Sequence, residues 1–293
     1  MKFLAPLILS VVLAGCATRQ PEVSLQPVDE TQDRILELDW LKNIRLVFNQ
    51  PAESKPTLVE DKGSPLVFYA LPNGNSIEWT RGKTMEEGDD WHFDIQHIDA
   101  QTRAARHELR LKGDRDPLPL FYVAADNLSW PSWRRERDDS DEQIRLLVEY
   151  IREVTYDVHP DRDVVLASHS GGGSFITGFI NAYEAIPDWV TKIVHLDSNY
   201  SYDNDLNHGG KLLDWLERDP DHALIVFAYD DREVTFNGKK IVSDTGGTYR
   251  ATLERMKPAL EERIAFTRRD VGDWMVWTSP QVELLVHANP ENE

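Results

Sequence analysis

A serine that could act as a nucleophile lies in the stretch VVLASHSGGGSFITGF, residues 164–179. The apolar run before it has the composition of a buried strand, and the residues after the glycines can form a helix. At such a strand-to-helix turn a serine can be held in a strained backbone conformation with its hydroxyl exposed, provided that its neighbours in the turn are small. Ser170 lies between the small residues Ser168 and Gly172, whereas Ser168 and Ser174 lack such flanks. The pattern therefore predicts nucleophilic chemistry at Ser170.

The residues SHSGG, 168–172, resemble the G-x-S-x-G nucleophile elbow of the α/β-hydrolase superfamily, with a serine in place of the first glycine. The resemblance implies a serine hydrolase whose hydroxyl is activated by a histidine base, which a carboxylate orients. In this superfamily the histidine comes last in the chain. His287, in the final VELLVHANPENE, has that position, and His208 is its main rival.

Three aspartates are candidates for the orienting acid. Asp231 opens the segment DREV after an apolar run, which is similar to the D-x-x-V found after the penultimate strand in many members of the superfamily. Asp230 is its neighbour, and Asp197 ends the run KIVHLD, a position that a minority of lipases use. We favour Asp231, with Asp197 and Asp230 as rivals, and any two of the three would cap turns or form ion pairs, as loop carboxylates usually do.

An oxyanion that develops on the attacked carbonyl needs preorganised donors. One would be the backbone N–H of Gly171, directly after the serine. The other is expected from the loop that follows LVFYAL, where Pro72 has no N–H, so that Asn73 or Gly74 must supply it. A plain tight turn is the alternative reading of Gly74.

Aromatic side chains near the ends of two predicted strands are candidates for substrate binding. Trp130 and Trp133 lie in NLSWPSWRRER, which we interpret as an exposed loop at the ligand crevice. Their rings would either stack on a sugar or an aromatic acyl group or hold the loop on the core. His169, inside the turn, and Tyr200, at the rim of the same edge, complete the predicted substrate site.

The elements that must position these residues are short apolar runs separated by helical patterns. The runs are too uniformly apolar for a one-sided sheet, which indicates strands covered on both faces. They lie at 66–71, 120–125, 163–168, 192–197, 223–229 and 282–287.

The stretch SDEQIRLLVEYIREV predicts a helix that starts with a capping box of Ser140 and Gln143. Alternating strands and helices imply a mostly parallel sheet, and ILELDW and IRLVFN are candidates for antiparallel edge strands. The predicted fold class is α/β, an α/β-hydrolase fold with helices on both faces of the sheet. Only one short helix separates residue 197 from residue 223, so the lid is expected to be small or absent and the cleft open.

The N-terminal segment resembles a bacterial lipoprotein signal peptide. A basic Lys2 and a short apolar run precede LAGC, in which Cys16, the only cysteine of the chain, would carry the lipid. Ala17 follows it, which in such lipoproteins favours the outer membrane. The expected organisation is a leader at 1–15, a lipidated tether at 16–33 and one hydrolase domain at 34–293.

The charge of the chain limits its partners. Its 51 acidic residues exceed its 32 lysines and arginines and give a formal net charge of -19, so nucleic acid and anionic lipid head groups are poor partners. His92 and His97 are five positions apart and do not share a helical face, so no metal site is predicted there. No cofactor is predicted.

The function expected from these patterns is that of a lipid-anchored serine hydrolase of the bacterial cell envelope. Its substrate would be a carboxylic ester, bulky or polymeric, cleaved through an acyl-enzyme on Ser170. An amidase or peptidase could use the same residues. A catalytically inactive hydrolase fold that binds or scaffolds partners in the envelope is the alternative from another class.

Overall fold

The computed structural model describes residues 33–41, 43–51, 65–88, 97–111, 118–154, 163–236 and 238–292. The predicted leader, and all of the predicted tether but its last residue, lie outside these ranges. Within them, the structure has no helix with the length and apolar character needed to cross a membrane.

The described residues form strands and helices that alternate through most of the chain. The strands are β1 (Asp33–Leu41), β2 (Ile44–Pro51), β3 (Leu66–Ala70), β4 (Leu120–Ala125), β5 (Val164–His169), β6 (Val190–Leu196), β7 (Ala223–Tyr229), β8 (Thr235–Phe236), β9 (Lys239–Lys240), β10 (Thr267–Val271), β11 (Trp274–Thr278) and β12 (Val282–His287). The helices are α1 (Ile77–Arg81), α2 (Ile98–Leu111), α3 (Trp130–Arg135), α4 (Ser140–Val154), α5 (Gly173–Asn181), α6 (His208–Arg218), a π-helix (Arg250–Met256) and α7 (Lys257–Leu260), with 3₁₀ turns at Ser170–Gly172 and Asn199–Ser201.

Ten of the strands form one sheet in the order β1-β2-β4-β3-β5-β6-β7-β12-β11-β10. The central strands from β4 to β12 run parallel to one another. The outer strands β1 and β2 at one edge, and β11 and β10 at the other, are antiparallel. This is the predicted α/β-hydrolase fold, and the two antiparallel edge strands expected near the N-terminus are confirmed.

Helices cover both faces of the sheet, as the apolar strands require. On one face, side chains of β4, β5 and β7 pack against α3, α4, α5, α6 and the π-helix. On the other, alternate residues of the same strands pack against α1 and α2. Most residues of the central strands therefore contribute to one of two buried layers, which leaves the strand ends as the place to build a site.

All six predicted apolar runs are strands, and their bounds agree with the prediction to within two residues. Helix α4 spans the predicted stretch, but its predicted capping box is wrong. The Gln143 side-chain amide donates to the carboxylate of Asp139 over 2.7 Å rather than reaching back to Ser140.

Two connections at the end of the sheet differ in size. Between β6 and β7 the chain forms a 3₁₀ turn and α6, so the absence of a large insertion there agrees with the prediction. Between β7 and β12 it forms the two-stranded β8-β9 sheet, the π-helix, α7 and the β10-β11 hairpin. That longer insertion was not predicted, and it contributes residues to the site.

Candidate active site

Four candidate residues lie at the same edge of the sheet. Strands β5, β6, β7 and β12 are successive neighbours and mutually parallel, so their carboxyl ends meet at one edge. Ser170 follows β5, Asp197 follows β6, Asp231 comes two residues after β7, and His287 is the last residue of β12. Ligand crevices in open α/β sheets form outside this edge.

Ser170 has the strained backbone conformation that its sequence context predicts. Its φ is +48°, in the left-handed region that residues with a side chain seldom adopt. The strand ends at His169, and α5 begins at Gly173 after a single 3₁₀ turn. The serine is half-buried, and its hydroxyl makes no hydrogen bond to any residue that the structure describes.

The glycines after Ser170 are required by the close approach of neighbouring backbone. A Cβ on Gly172 would lie 2.1 Å from the carbonyl oxygen of Ala70, and one on Gly173 would lie 1.5 Å from the carbonyl oxygen of Ser198. No side chain fits at those distances. The glycines allow the chain to turn sharply between the ends of β3 and β6, and this turn places Ser170 at the edge.

Ser168, which stands where the resembling motif has its first glycine, is fully buried in a polar cluster. Its hydroxyl lies 2.6 Å from Ser198 Oγ, which in turn lies 3.1 Å from His195 Nδ1. Burial lowers the pKa of His195 to about 3, so the imidazole is neutral. The hydroxyl of Ser168 is thus satisfied beneath the turn, which explains why serine is accommodated at this position.

The loop expected to complete the oxyanion site does contact the turn. The carboxamide of Asn73 lies directly against Gly171, where a Cβ would come within 2.0 Å of its Oδ1 atom. The N–H of Gly74 donates to the carbonyl of Leu128 over 2.9 Å. The prediction that Gly74 could supply an oxyanion donor is therefore wrong, and Asn73 is the remaining candidate beside Gly171.

His287 is half-buried at the end of its strand. Its Nδ1 atom accepts the backbone N–H of Asn289 over 3.1 Å, and its ring packs edge-on against Trp274 with 5.0 Å between ring centroids. Three strand spacings of about 4.8 Å separate β12 from β5, or roughly 14 Å between the strand axes. Within the part of the chain that the structure describes, no hydrogen bond joins His287 to Ser170 or to Asp231.

His208, the rival base, is a buried structural residue. Its Nδ1 accepts the backbone N–H of Asp203 over 3.0 Å, and its Nε2 lies 2.7 Å from Asn181 Oδ1. Burial lowers its pKa to about 4. With only 2 % of its surface exposed and both ring nitrogens engaged, His208 cannot take a proton from Ser170.

Asp230, one of the rival acids, forms an ion pair. Arg232 donates to both of its carboxylate oxygens, over 2.8 and 2.6 Å, and stacks over the ring of Tyr249 at 3.8 Å. The hydrogen bond from Arg232 lowers the pKa of Asp230. This is the ion-pair role expected for a loop carboxylate, so Asp230 is not the orienting acid.

Asp231 and Asp197 converge on one residue of the insertion, Thr248. The backbone N–H of Thr248 donates to Asp231 Oδ2 over 2.7 Å, and its hydroxyl donates to Asp197 Oδ1. Asp231 is fully buried, and its Oδ1 has no hydrogen-bond partner among the described residues. Gly247, at a φ of +95°, gives this carboxylate its space, because a Cβ there would lie 2.4 Å from Oδ1.

The pKa values of both carboxyl groups are raised. For Asp197 burial is the main cause, and the charge of Asp231 adds to it, so that the pKa rises from 3.8 to about 7. Burial also raises the pKa of Asp231. The hydroxyl of Tyr200 donates to Asp197 Oδ2 over 3.2 Å. Tyr200 therefore holds this carboxyl group and does not present its hydroxyl to a ligand.

The remaining substrate-binding candidates differ in position. Trp130 and Trp133 are 1 % and 0 % exposed, in α3 rather than a loop, and pack edge-on against each other with 5.3 Å between ring centroids. Of the two alternatives for these rings, the core role is the one observed, so their assignment to substrate binding is wrong. His169 is half-buried at the end of β5, next to Ser170, and its role stays a prediction.

The raised pKa of Asp197 predicts a pH-dependent stability that Asp197→Asn would remove. Since the folded-state pKa of about 7 lies above the unfolded value of 3.8, the stabilising contribution is complete below about pH 4 and is lost as the pH rises through 7. The unfolding free energy of the parent, relative to that of the variant, should fall by roughly 4 kcal/mol between pH 4 and 8. Urea unfolding at a series of pH values measures this difference, and a constant difference would contradict it.

Comparisons with known proteins give weak structural similarities. No protein-family model matches this chain, and no curated protein matches it in sequence. Among solved structures, it is similar to an esterase of Thermogutta terrifontis, with 12 % identity, a TM-score of 0.40 and coverage of 90 % of this chain and 85 % of that one. A glucuronoyl esterase from Solibacter usitatus has 13 % identity, a TM-score of 0.42 and coverage of 97 % and 86 %. A cold-adapted esterase from an Arctic intertidal metagenomic library has 12 % identity, a TM-score of 0.35 and coverage of 72 % and 77 %. Similarities of this size say nothing about which residues act.

Proposed function

We propose that this protein is a serine hydrolase that cleaves carboxylic esters, with Ser170 as its nucleophile. The observation that carries the proposal is the strained conformation of Ser170, at a φ of +48° in the turn between β5 and α5. Such strain persists only where the surrounding structure imposes it, and it is concentrated at functional sites. A serine held this way at the carboxyl edge of a parallel sheet has the geometry of a nucleophile elbow.

The proposed reaction proceeds through an acyl-enzyme. Ser170 Oγ attacks the ester carbonyl while its proton passes to His287, and the Gly171 N–H together with Asn73 stabilises the oxyanion. The protonated imidazole then gives its proton to the leaving alcohol. Water, activated by the same histidine, attacks the acyl-enzyme, releases the acid and restores Ser170. Asp231 is the proposed acid partner of the histidine.

This mechanism requires His287 to change its contacts. In the triad arrangement Nδ1 donates to the acid and Nε2 accepts from the serine, whereas His287 Nδ1 here accepts the N–H of Asn289. We infer that the last residues of the chain rearrange when substrate binds. Hydrogen bonds at catalytic sites are often long or poorly aligned without substrate and tighten in the substrate complex.

We propose that the enzyme acts in the bacterial cell envelope, anchored by lipid on Cys16 and held at the outer membrane. The short connection between β6 and β7 supports an open cleft and therefore a bulky or polymeric ester. Amide or peptide substrates could use the same groups, since both bond types are cleaved through an acyl-enzyme.

We expect His287→Ala to lower kcat for p-nitrophenyl ester hydrolysis by at least about 10³-fold, because the serine would lose its base. The full chain should be assayed with esters of increasing acyl length, which also measures the size of the binding site. His107→Ala, at an exposed position of α2, is the matched control and should retain full activity. An active His287→Ala variant would require another base.

A catalytically inactive envelope protein that binds partners is the second candidate function. The observation in its favour is that no hydrogen bond links Ser170, Asp231 and His287 among the described residues. In that case the strained turn would be only a feature of the fold. A folded protein whose Ser170 reacts with no acylating or phosphonylating reagent would favour this function.

A further inference from the structure

A single hydroxyl group lies between the buried carboxyl group of Asp231 and the half-buried carboxyl group of Asp197. Asp197 and Asp231 follow neighbouring parallel strands, β6 and β7. Thr248, from the insertion before β12, donates its hydroxyl to Asp197 Oδ1, and the same oxygen lies 3.5 Å from Asp231 Oδ2. The backbone N–H of Thr248 donates to this same Asp231 Oδ2 over 2.7 Å. Thr248 itself is fully buried.

The groups around the two carboxyls do not neutralise two negative charges. Asp197 faces the phenol groups of Tyr200 and Tyr229, both of which stay protonated because burial raises their pKa values. Asp230 is paired with Arg232, and no salt bridge to Asp197 or Asp231 occurs in the described part of the chain. Two like charges held this close without a cation, one of them buried and the other half-buried, are disfavoured.

We propose that Thr248 is a positioning residue that joins Asp197 and Asp231 into one acid unit, which holds one proton and one negative charge between its two carboxyl groups. Thr248 has one hydroxyl proton to donate, and the Oδ1 of Asp231 lacks a partner in the described structure. The hydrogen bonds to the two carboxyl groups come from hydroxyl and backbone N–H groups, none of them charged, and one of the four carboxyl oxygens has no donor among the described residues. The inference rests on the proposed function in one respect only, which is that the acid unit of Asp197 and Asp231 orients the catalytic base, His287.

The shared proton can be tested without any turnover, by infrared spectroscopy of the full chain at neutral pH. Subtracting the spectrum of Asp197→Asn from that of the parent should leave the carbonyl band of a protonated carboxylic acid. Thr248→Val, which keeps the backbone N–H and the shape of the side chain, should shift this band, while Thr248→Ser should preserve it. A difference spectrum with no protonated carboxyl band would overturn the proposal.

The positioning role is tested by the pH profile of ester hydrolysis. The Thr248 hydroxyl stabilises the ionised form of the unit, so Thr248→Val should lower kcat about tenfold and move the acid limb of the profile to higher pH by about one unit. KM should stay within about twofold, and Thr248→Ser should restore the parent profile. A Thr248→Val profile that matches the parent would overturn the positioning role.

The infrared band and ester hydrolysis together distinguish a failure of the shared-proton proposal from a failure of the proposed hydrolase function. If the parent hydrolyses no ester but shows an infrared band that depends on Thr248, the proposed function fails and the shared proton is supported. If the parent is active and the band is absent, the acid unit is refuted and the hydrolase function stands.

Discussion

Replacing Ser170 with alanine is expected to abolish ester hydrolysis, with kcat reduced by at least about 10³-fold and the fold unchanged. The hydroxyl makes no hydrogen bond to a described residue, so its loss removes no structural contact. Alanine and serine meet the same backbone strain at a φ of +48°. The variant should therefore unfold at the same urea concentration as the parent while losing its nucleophile.

Ser174→Ala is the matched control for this variant, because Ser174 lies one turn further on in the same Gly-rich segment. Its hydroxyl accepts a hydrogen bond from Arg134 over 3.1 Å and is buried in α5, away from the strand edge. Its loss should lower stability by about 1 kcal/mol and leave kcat near that of the parent. If both serine variants kept activity, the nucleophile would have to be another residue.

The second large effect is on stability and comes from Gly173→Ala. The new Cβ would lie 1.5 Å from the carbonyl oxygen of Ser198 and 2.6 Å from its carbonyl carbon, both backbone atoms. Neither can move without displacing the end of β6 or the start of α5. We expect a loss of about 3 kcal/mol or more in the free energy of unfolding, together with loss of activity as the turn that holds Ser170 shifts.

Gly74→Ala is the control that distinguishes the steric clash at Gly173 from the cost of placing a side chain on a residue with positive φ. Gly74 has a φ of +81° and open space where a Cβ would be, so alanine there should cost only about 1 to 2 kcal/mol of backbone strain. Urea unfolding of the two variants gives the comparison. Equal losses of stability in the two variants would contradict this expectation, because they would mean that the backbone near Ser198 shifts to accept the new Cβ with little loss of free energy.

Much of the fold follows from local sequence patterns. The six apolar runs form strands because their side chains must be buried on both faces, and that requirement depends on composition alone. The nucleophile elbow was also predictable, because a serine with small neighbours between a strand and a helix is typical of the sharp strand-to-helix turn. These features depend on residues that are close together in the chain.

The acid side of the site could not be predicted in the same way. Thr248 is 17 residues from Asp231 and 51 from Asp197 along the chain, and nothing in its own segment shows that it will lie between them. The role of Gly247 depends on the same long-range contact. The signal available was the length of the segment between β7 and β12, which exceeds what a simple crossover needs.

The aromatic and histidine candidates show why composition misleads near a site. Pro131 in WPSW fits the first turn of a helix as well as a loop, and α3 turns both tryptophans into the core. His208 follows an exposed loop, yet the side chain of Asn181 from α5 engages it. In both cases the burial of the side chain depends on contacts with residues from other segments of the chain.

Covalent labelling of the folded full chain with a fluorophosphonate reagent, followed by peptide mapping, tests directly whether Ser170 is a nucleophile. We expect one modified residue, Ser170, with labelling lost in Ser170→Ala and retained in Ser174→Ala. Labelling at another serine, or no labelling of a protein whose circular dichroism shows it to be folded, would contradict the assignment of Ser170 as a nucleophile.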